Sequence, residues 1–283
     1  VTRFAAIADD WRGRLIQTGL TEPATLLGSD PPGVLEGEWE PLVKPGLGGR
    51  ERWRWRLANA RLVLFVKRYL RTPLRQQVDR ILRQTLRHSR AWWEYHQSGE
   101  LNRRYVSTVR AVGVAEEMRS IFERRSAVLF ERVPGDALDR LWLKLEAEGS
   151  RLVRAPLRQG LIRCLARFTS AFHQTGMCHR DLYLCHIFAD LDPESGRKPR
   201  FTLIDLARVH RPRWRRLRWI IKDLSQLDSS ACQVGASRAD RLRFLVAYLG
   251  LQPGAPRTRD YARRVVRKSA KILRRIARKR ERA

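Results

Sequence analysis

One stretch constrains this chain more than any other: Cys178 to Phe188, reading Cys-His-Arg-Asp-Leu-Tyr-Leu-Cys-His-Ile-Phe. It carries a single acid, Asp181, and it is bracketed on both sides. Before it, Pro156 opens a pattern in which Leu157, Leu161, Leu165, Phe168 and Phe172 share one helical stripe, with Gly176 as the stop. That stripe reads as core and supports the loop. After it, the apolar run Phe201-Thr202-Leu203-Ile204 reads as a strand and delivers a second acid, Asp205. A helix, a polar loop with an acid and a strand ending on an acid require an architecture that mixes helices with sheet.

The first half of the chain supplies strands. Residues 4 to 20 place Phe4, Ile7, Trp11, Leu15 and Leu20 at near-helical spacing and predict a short helix, and Gly28 to Glu38, with Pro31-Pro32-Gly33, reads as a linker. Leu42-Val43, the alternating Trp53-Arg54-Trp55-Arg56-Leu57 and Leu62-Val63-Leu64-Phe65-Val66 then predict a meander that ends in Lys67. Thr72-Pro73 starts a helix with Leu74, Val78, Ile81, Leu82 and Leu86 on one face, and Arg90-Ala91-Trp92-Trp93-Glu94-Tyr95 begins or continues a second helical segment. Val106 to Val114 and Ser126 to Phe130 read as two further strands, and Leu138 to Leu145 as a short helix. Further on, helices start at Lys222 and run from Ser237 to Gly250, Gln252 to Pro256 is a linker, and the tail from Arg257 is a basic amphipathic helix with Tyr261, Val265, Ile272, Leu273 and Ile276 on one face.

Composition narrows the class. With 283 residues, 43% hydrophobic and 31% charged, the chain can bury a core as one two-lobed domain or two small ones. No apolar run approaches the roughly 18 residues that a spanning helix needs, and the start Val1-Thr2-Arg3-Phe4 has no signal-peptide pattern, so a cytoplasmic protein is expected. The missing Met suggests a trimmed start. Cysteines at 164, 178, 185 and 232 give no disulfide framework. The formal charge of +29, from 58 Lys+Arg against 29 Asp+Glu, points to polyanions: nucleic acid, an anionic membrane leaflet, or a phosphorylated or acidic glycolipid. Arg-rich codon usage accounts for part of the excess. Nucleic acid is disfavoured, because no recognised binding motif accompanies the basic residues.

The order Lys67, Asp181, Asp205 matches phosphoryl-transfer enzymes of the kinase type. There a Lys on the third strand grips the α/β-phosphates, an Asp following His-Arg accepts the proton of the attacking hydroxyl, and a later Asp holds the metal. Glu94 is the candidate partner of Lys67, with Glu100, Glu116 and Glu117 as competitors. The turn Pro45-Gly46-Leu47-Gly48-Gly49-Arg50 is either a loose phosphate-covering loop, with Gly46 and Gly48 leaving backbone N–H groups open, or an ordinary hairpin turn. Glu131-Arg132-Val133-Pro134-Gly135 reads as a hinge, where Glu131 and Val133 could offer backbone to adenine, or as a plain strand-to-helix turn. Asp223 is a candidate anchor for the backbone of the 178 to 188 loop. Between Asp205 and Asp223 there is no room for a long activation segment and no Ala-Pro-Glu, which argues against a regulated protein kinase of the eukaryotic type.

These motifs together resemble the lipopolysaccharide kinase family, bacterial kinases that phosphorylate Kdo or heptose in the lipopolysaccharide inner core. The resembling residues are Phe65-Val66-Lys67-Arg68, Phe130 to Gly135, His179-Arg180-Asp181-Leu182-Tyr183-Leu184-Cys185-His186, Ile204-Asp205-Leu206-Ala207-Arg208 and Lys222-Asp223-Leu224-Ser225-Gln226-Leu227, across about residues 44 to 249. The resemblance implies an α+β, protein-kinase-like two-lobed fold, with an N-terminal antiparallel sheet lobe carrying a helix C and a mainly helical C-terminal lobe. On that basis residues 1–41 are an N-terminal helix and linker, 42–133 the sheet lobe, 134–250 the helical lobe and 251–283 the basic tail. It also implies ATP with Mg²⁺ or Mn²⁺, Lys67 on ATP phosphates, Asp181 as catalytic base, Asp205 as metal ligand and His186 in the second ligand's slot, with His179 and Asp223 supporting the loop. Imidazole is a poor ligand for a hard cation, so that second metal position is the weak point.

The expected acceptor is an acidic glycolipid or glycan, received by Arg208, Arg211, Arg213 and Arg215, with the protein peripheral to an anionic inner membrane. Two rivals stand beside this reading: a catalytically weak kinase-fold binding protein, suggested by His186 and by Leu206-Ala207 in place of Phe-Gly, and a zinc site built from Cys178, His179, Cys185 and His186, whose spacing matches no common zinc motif.

Overall fold

The computed structural model describes residues 1–28, 33–43, 49–57, 62–147, 149, 157–191 and 198–281. They form two compact units, Val1–Arg103 with Thr108–Val133 and Asp205–Ala207, and Arg104–Ser107 with Pro134–Ile204 and Arg208–Ala283.

Alternation along the strands builds the first unit. Its strands are β1 (Thr2–Ile7), β2 (Glu38–Pro41), β3 (Arg50–Leu57), β4 (Leu62–Tyr69), β5 (Ala111–Arg119) and β6 (Phe122–Glu131), joined antiparallel in the order β1-β5-β6-β4-β3-β2. On β3, Trp55 and Leu57 are buried while Arg54 and Arg56 meet Glu40 and Glu38 of β2 at 2.8 and 3.0 Å, so the period-2 pattern sets the register. The core joins Trp55, Leu64, Val66 and Leu129 to Trp11 and Leu15 of α1 (Asp9–Ile16). Two more helices complete the unit, α2 (Leu74–Arg83) and α3 (Arg90–Arg103), the latter packed on β5 and β6.

Four expectations are corrected here. Phe4 and Ile7 belong to β1, paired along β5 from Thr2↔Met118 to Ile7↔Gly113, because an open sheet edge satisfies six residues' backbone groups at once; the helix starts only at Asp9. Leu42 and Val43 lie past β2, which ends at Pro41. The segment before Ala111 is irregular, with Ser98 Oγ and Asn102 capturing backbone groups of Thr108, Val109 and Ala111 that a ladder would use. Within the Gly28 to Glu38 stretch read as a linker, Leu35 is buried in the core and Glu38 already begins β2; Pro31-Pro32 lies outside the described residues.

The second unit is mainly helical: α4 (Leu138–Ala147), α5 (Leu157–Gln174), α6 (Arg216–Gln233), α7 (Arg238–Leu249) and α8 (Pro256–Arg280), with a small antiparallel sheet of β7 (Asp136–Ala137), β8 (Ile187–Asp190) and β9 (Arg200–Leu203). The α5 stripe buries Leu161, Leu165 and Phe172, as its spacing requires, and Pro156 lies outside the described residues. A reciprocal Ser237–Asp240 capping box opens α7 and Gly250 closes it. Helix α6 begins at Arg216 rather than Lys222: the arginines of its first turn hide an apolar period that includes Ile220 and Ile221. The tail is no detached appendage, since Tyr261 and Val265 pack with Ile221, Leu224, Leu245 and Tyr248. At the start of this unit Gly135 has φ +77°, and a Cβ there would collide with the Ala189 carbonyl, so β7 can reach β8 only through glycine.

Candidate active site

In the first unit the functional side chains converge on Lys67. Strand β4 is central, so Lys67, paired with Arg52 on β3 and Val128 on β6, is taken out of water with 7% of its surface exposed. Its Nζ lies 2.8 and 3.0 Å from the two carboxylate oxygens of Glu94 and 2.7 Å from Asp205 Oδ1. Glu94 is fully buried because α3 turns Arg90, Ala91, Glu94, Gln97 and Leu101 inward, and Tyr69 donates its hydroxyl to the same carboxylate. Burial alone would lower the Lys67 pKa, but the carboxylates of Asp205 and Glu94 outweigh it and raise it, so this Lys stays a cation. Burial, then the Glu94 charge, keeps Tyr69 a neutral donor.

The competing acids are engaged elsewhere: Glu116 with His88 and the Ser89 amide, Glu117 with Arg125 and Arg3, and Glu100 with Arg103. Asp205 sits at φ +58°, its Oδ2 is 3.9 Å from Arg52, and Gln84, the residue that caps the end of α2, donates to the Ala207 carbonyl at 2.6 Å, holding this short segment in place.

In the second unit the loop around Asp181 is held from below by α6. Asp223, fully buried, accepts the amides of His179 at 2.6 Å and Arg180 at 2.8 Å, and His173 Nε2 stands 3.4 Å away. Burial would raise the Asp223 pKa, yet the hydrogen bond and charge of His173, then His179, carry it below the usual carboxylate value. Two more side chains of α6 receive amides of the loop: Gln226 Oε1 from Leu182 at 3.3 Å and Ser230 Oγ from Leu184 at 3.0 Å. His179 Nε2 donates to the Ile204 carbonyl at 3.0 Å, and His186 Nδ1 donates to the Asp181 carbonyl at 2.7 Å.

The Asp181 carboxylate meets Arg208 Nη1 at 2.9 and 2.8 Å and Gln226 Nε2 at 3.4 Å. Lys222 donates to the Arg180 carbonyl, and burial, then the Arg208 charge, lowers its pKa to about 8.

The remaining candidates are placed as follows. Arg211 donates to the Thr175 carbonyl at 3.2 Å, Arg213 is exposed, and Arg215 precedes α6 with φ +54°; of the four arginines, Arg208 is the one at the acid. Glu131 ends β6, its amide bonded to the Arg110 carbonyl at 2.9 Å, and Val133 is half-buried at the end of the first unit. Gly46 and Gly48 lie outside the described residues. Lys222, Gln226, Tyr69 and the contact of Arg208 with Asp181 were not assigned from sequence. Gln226, three after Asp223 and four after Lys222 on one helix, carried a signal for two of them.

Asp205 suits Mg²⁺, which is held by one or two carboxylates plus substrate phosphates. His186 is the poorer match, because an imidazole nitrogen is softer than the oxygen ligands this ion prefers; its Nδ1 bond to the Asp181 carbonyl fixes the ring, so that ligation would fall to Nε2. The zinc set is likewise dispersed, with Cys185 exposed and Cys178 buried, its thiol pushed up by burial. Among the described residues the one cluster with metal-ligand spacing is His173, Cys178 and Asp223, fully buried beneath the loop.

The profile of the lipopolysaccharide kinase (Kdo/WaaP) family matches residues 49–248. The lipopolysaccharide core heptose(I) kinase WaaP of Pseudomonas aeruginosa is 39% identical over 93 residues, 32% of this chain and 35% of that protein. The protein of the same name from Escherichia coli is 26% identical over 192 residues, 66% of this chain and 70% of that protein. The match thus spans about a third of the Pseudomonas relative. The solved structure of WaaP in complex with acyl carrier protein superposes with a TM-score of 0.63 at 23% identity, covering 99% of this chain and 98% of that one, and so shares the fold.

Proposed function

The chain belongs to the lipopolysaccharide kinase (Kdo/WaaP) family, a protein-kinase-like family of phosphotransferases, and from that premise we propose that it transfers the γ-phosphoryl group of ATP to a sugar hydroxyl of an inner-core lipopolysaccharide or related acidic glycan. The observation that carries the reading is Lys67, kept cationic in a buried site by Glu94 and Asp205. A permanently charged, pre-oriented ammonium is what grips phosphate oxygens without reorganisation at the moment of reaction. Asp205 would supply an oxygen ligand for a divalent cation, which when bound would neutralise phosphate charge.

Asp181 takes the proton of the attacking hydroxyl. Asp223, Gln226 and Ser230 fix the loop that carries it, so the base meets the hydroxyl already oriented. Arg208, displaced from Asp181, receives an anion of the acceptor. The protein works at the cytoplasmic face of the inner membrane, an anionic surface that its formal charge of +29 favours.

The test is ³²P transfer from γ-labelled ATP with Mg²⁺ to inner-core lipopolysaccharide. Asp181→Ala should lose roughly 10²- to 10⁴-fold in turnover with ATP binding intact. Full activity in that variant would remove Asp181 from the chemistry, and ATP binding with no transfer by wild type would favour the kinase-fold binding protein.

A partner reading is favoured by a second observation. The helical unit holds an apolar cavity of about 500 Å³, lined by Trp142, Leu161, Leu165, Leu227, Phe244 and their neighbours. We propose that it accepts the acyl chain of an acidic carrier protein, whose charge complements this basic chain. Acylated carrier should bind at least about tenfold more tightly than the unacylated form, and Leu161→Trp should abolish the difference. Equal binding of both forms would refute it.

A further inference from the structure

Helix α2 is inside out. Its polar side chains are the buried ones: Gln77 exchanges hydrogen bonds with the Glu123 backbone at 2.7 and 3.2 Å, and Arg80 donates to the Thr85 and His88 carbonyls at 2.8 and 2.6 Å and to the Ile121 carbonyl. Gln76 receives Arg50 and Arg90, and just past the helix its cap residue Gln84 holds Ala207. These bonds fix the rotation of the helix about its axis. The face they leave outward is apolar: Leu74 is 74%, Val78 51% and Leu82 71% exposed, at i, i+4 and i+8, with Leu86 at 50% just beyond the last turn. The hairpin tip tied to α2 through Arg80 adds exposed Ile121 and Phe122. A continuous apolar stripe of this kind on a protein surface marks an interaction site.

We propose that this stripe docks the chain on an anionic lipid bilayer. The charge around it selects that occupant. Exposed Arg71, Arg75, Arg83 and Arg87 flank the leucines, and the one acid of the helix, Asp79, is paired with Arg83. Arginine stems lie along acyl chains while their guanidinium groups reach lipid phosphates, and aliphatic side chains between them enter the headgroup boundary, the arrangement of interfacial helices. Two copies meeting through this face would bring the same four arginines together, which disfavours self-association. The basic tail is a poorer anchor, because Tyr261 and Val265 of its apolar face are spent in the core of the helical unit.

The test is co-sedimentation of the full chain with vesicles of phosphatidylcholine alone and of phosphatidylcholine with phosphatidylglycerol, without ATP or acceptor, so that the result is independent of the kinase reading. Wild type is expected to bind the anionic vesicles only. Leu74→Gln with Leu82→Gln, both solvent-exposed, should weaken binding at least about tenfold with an unchanged melting curve. Arg75→Gln with Arg87→Gln should weaken it and flatten its salt dependence. Undiminished binding by the leucine variant, or no binding by wild type, would overturn the proposal. So would a dimer in sedimentation velocity that the leucine variant abolishes, since the stripe would then belong to a second copy.

Discussion

Arg208 reaches both carboxylate oxygens of Asp181 from a single nitrogen, Nη1, at 2.9 and 2.8 Å. Held this way, the guanidinium covers both oxygens of the carboxylate until it finds another anion. Arg208→Ala should raise the acceptor KM about tenfold or more while the KM for ATP stays within a factor of two, and Arg208→Lys should recover much of the loss, since the contact is made from one nitrogen, which an ammonium can replace. Steady-state kinetics with each substrate varied in turn decides it; equal effects on both KM values would refute it.

Lys67 and Glu94 are a buried pair, and a buried charge left alone is costly. Lys67→Met should destabilise the protein by about 3 to 5 kcal/mol, and adding Glu94→Gln should return a good part of that, giving a coupling that urea melts of the single and double variants measure. Additive losses would mean that the pair is not coupled.

Lys222 should titrate with a midpoint of about 8 by NMR of its side-chain nitrogen, and Arg208→Ala should move the midpoint upward, because the Arg208 charge helps to depress it. Folded Lys222 releases its proton before the unfolded residue at 10.5 does, so the unfolded chain binds more protons between these values. Stability relative to Lys222→Met should accordingly rise with pH from about 8 to 10.5.

Asp223 behaves in the opposite sense. Its folded pKa lies below the ordinary 3.8, so its contribution is complete above that value and is lost as pH falls through the folded pKa. Asp223→Ala leaves the His179 and Arg180 amides without their acceptor and should cost about 3 kcal/mol at pH 7. The gap between wild type and Asp223→Ala should narrow in acid melts below pH 3.8.

Much of the site was legible because its residues sit where periodic elements end: Lys67 near the end of an apolar strand, Asp181 after a stopped helix, Asp205 after a short strand. The mixture of helices and strands followed from the same patterns, and the α+β, kinase-like class from the family resemblance. Tertiary placement was less legible. Phe4 and Ile7, three apart, fit a helical period and not a strand period of two, and only backbone pairing along the open edge of β5 places them in a strand. The outward turn of α2 depends on Gln77 and Arg80 finding backbone carbonyls far along the chain, which no local pattern encodes. Arg208 was marked for an acceptor, while its partner of the moment, Asp181, is a contact across 27 positions of sequence.

Helix α8 divides its length between two duties. Thr258, Tyr261, Val265 and Ser269 are its buried residues, and past Ser269 none is buried. The helix is thus a peg driven to half its depth. A protease cutting after Ser269 would release a cationic peptide and leave the helical unit's core closed, whereas a cut before Tyr261 would open it. Sequence drift in this protein should accordingly be steep in the outer turns of α8 and shallow in the inner ones.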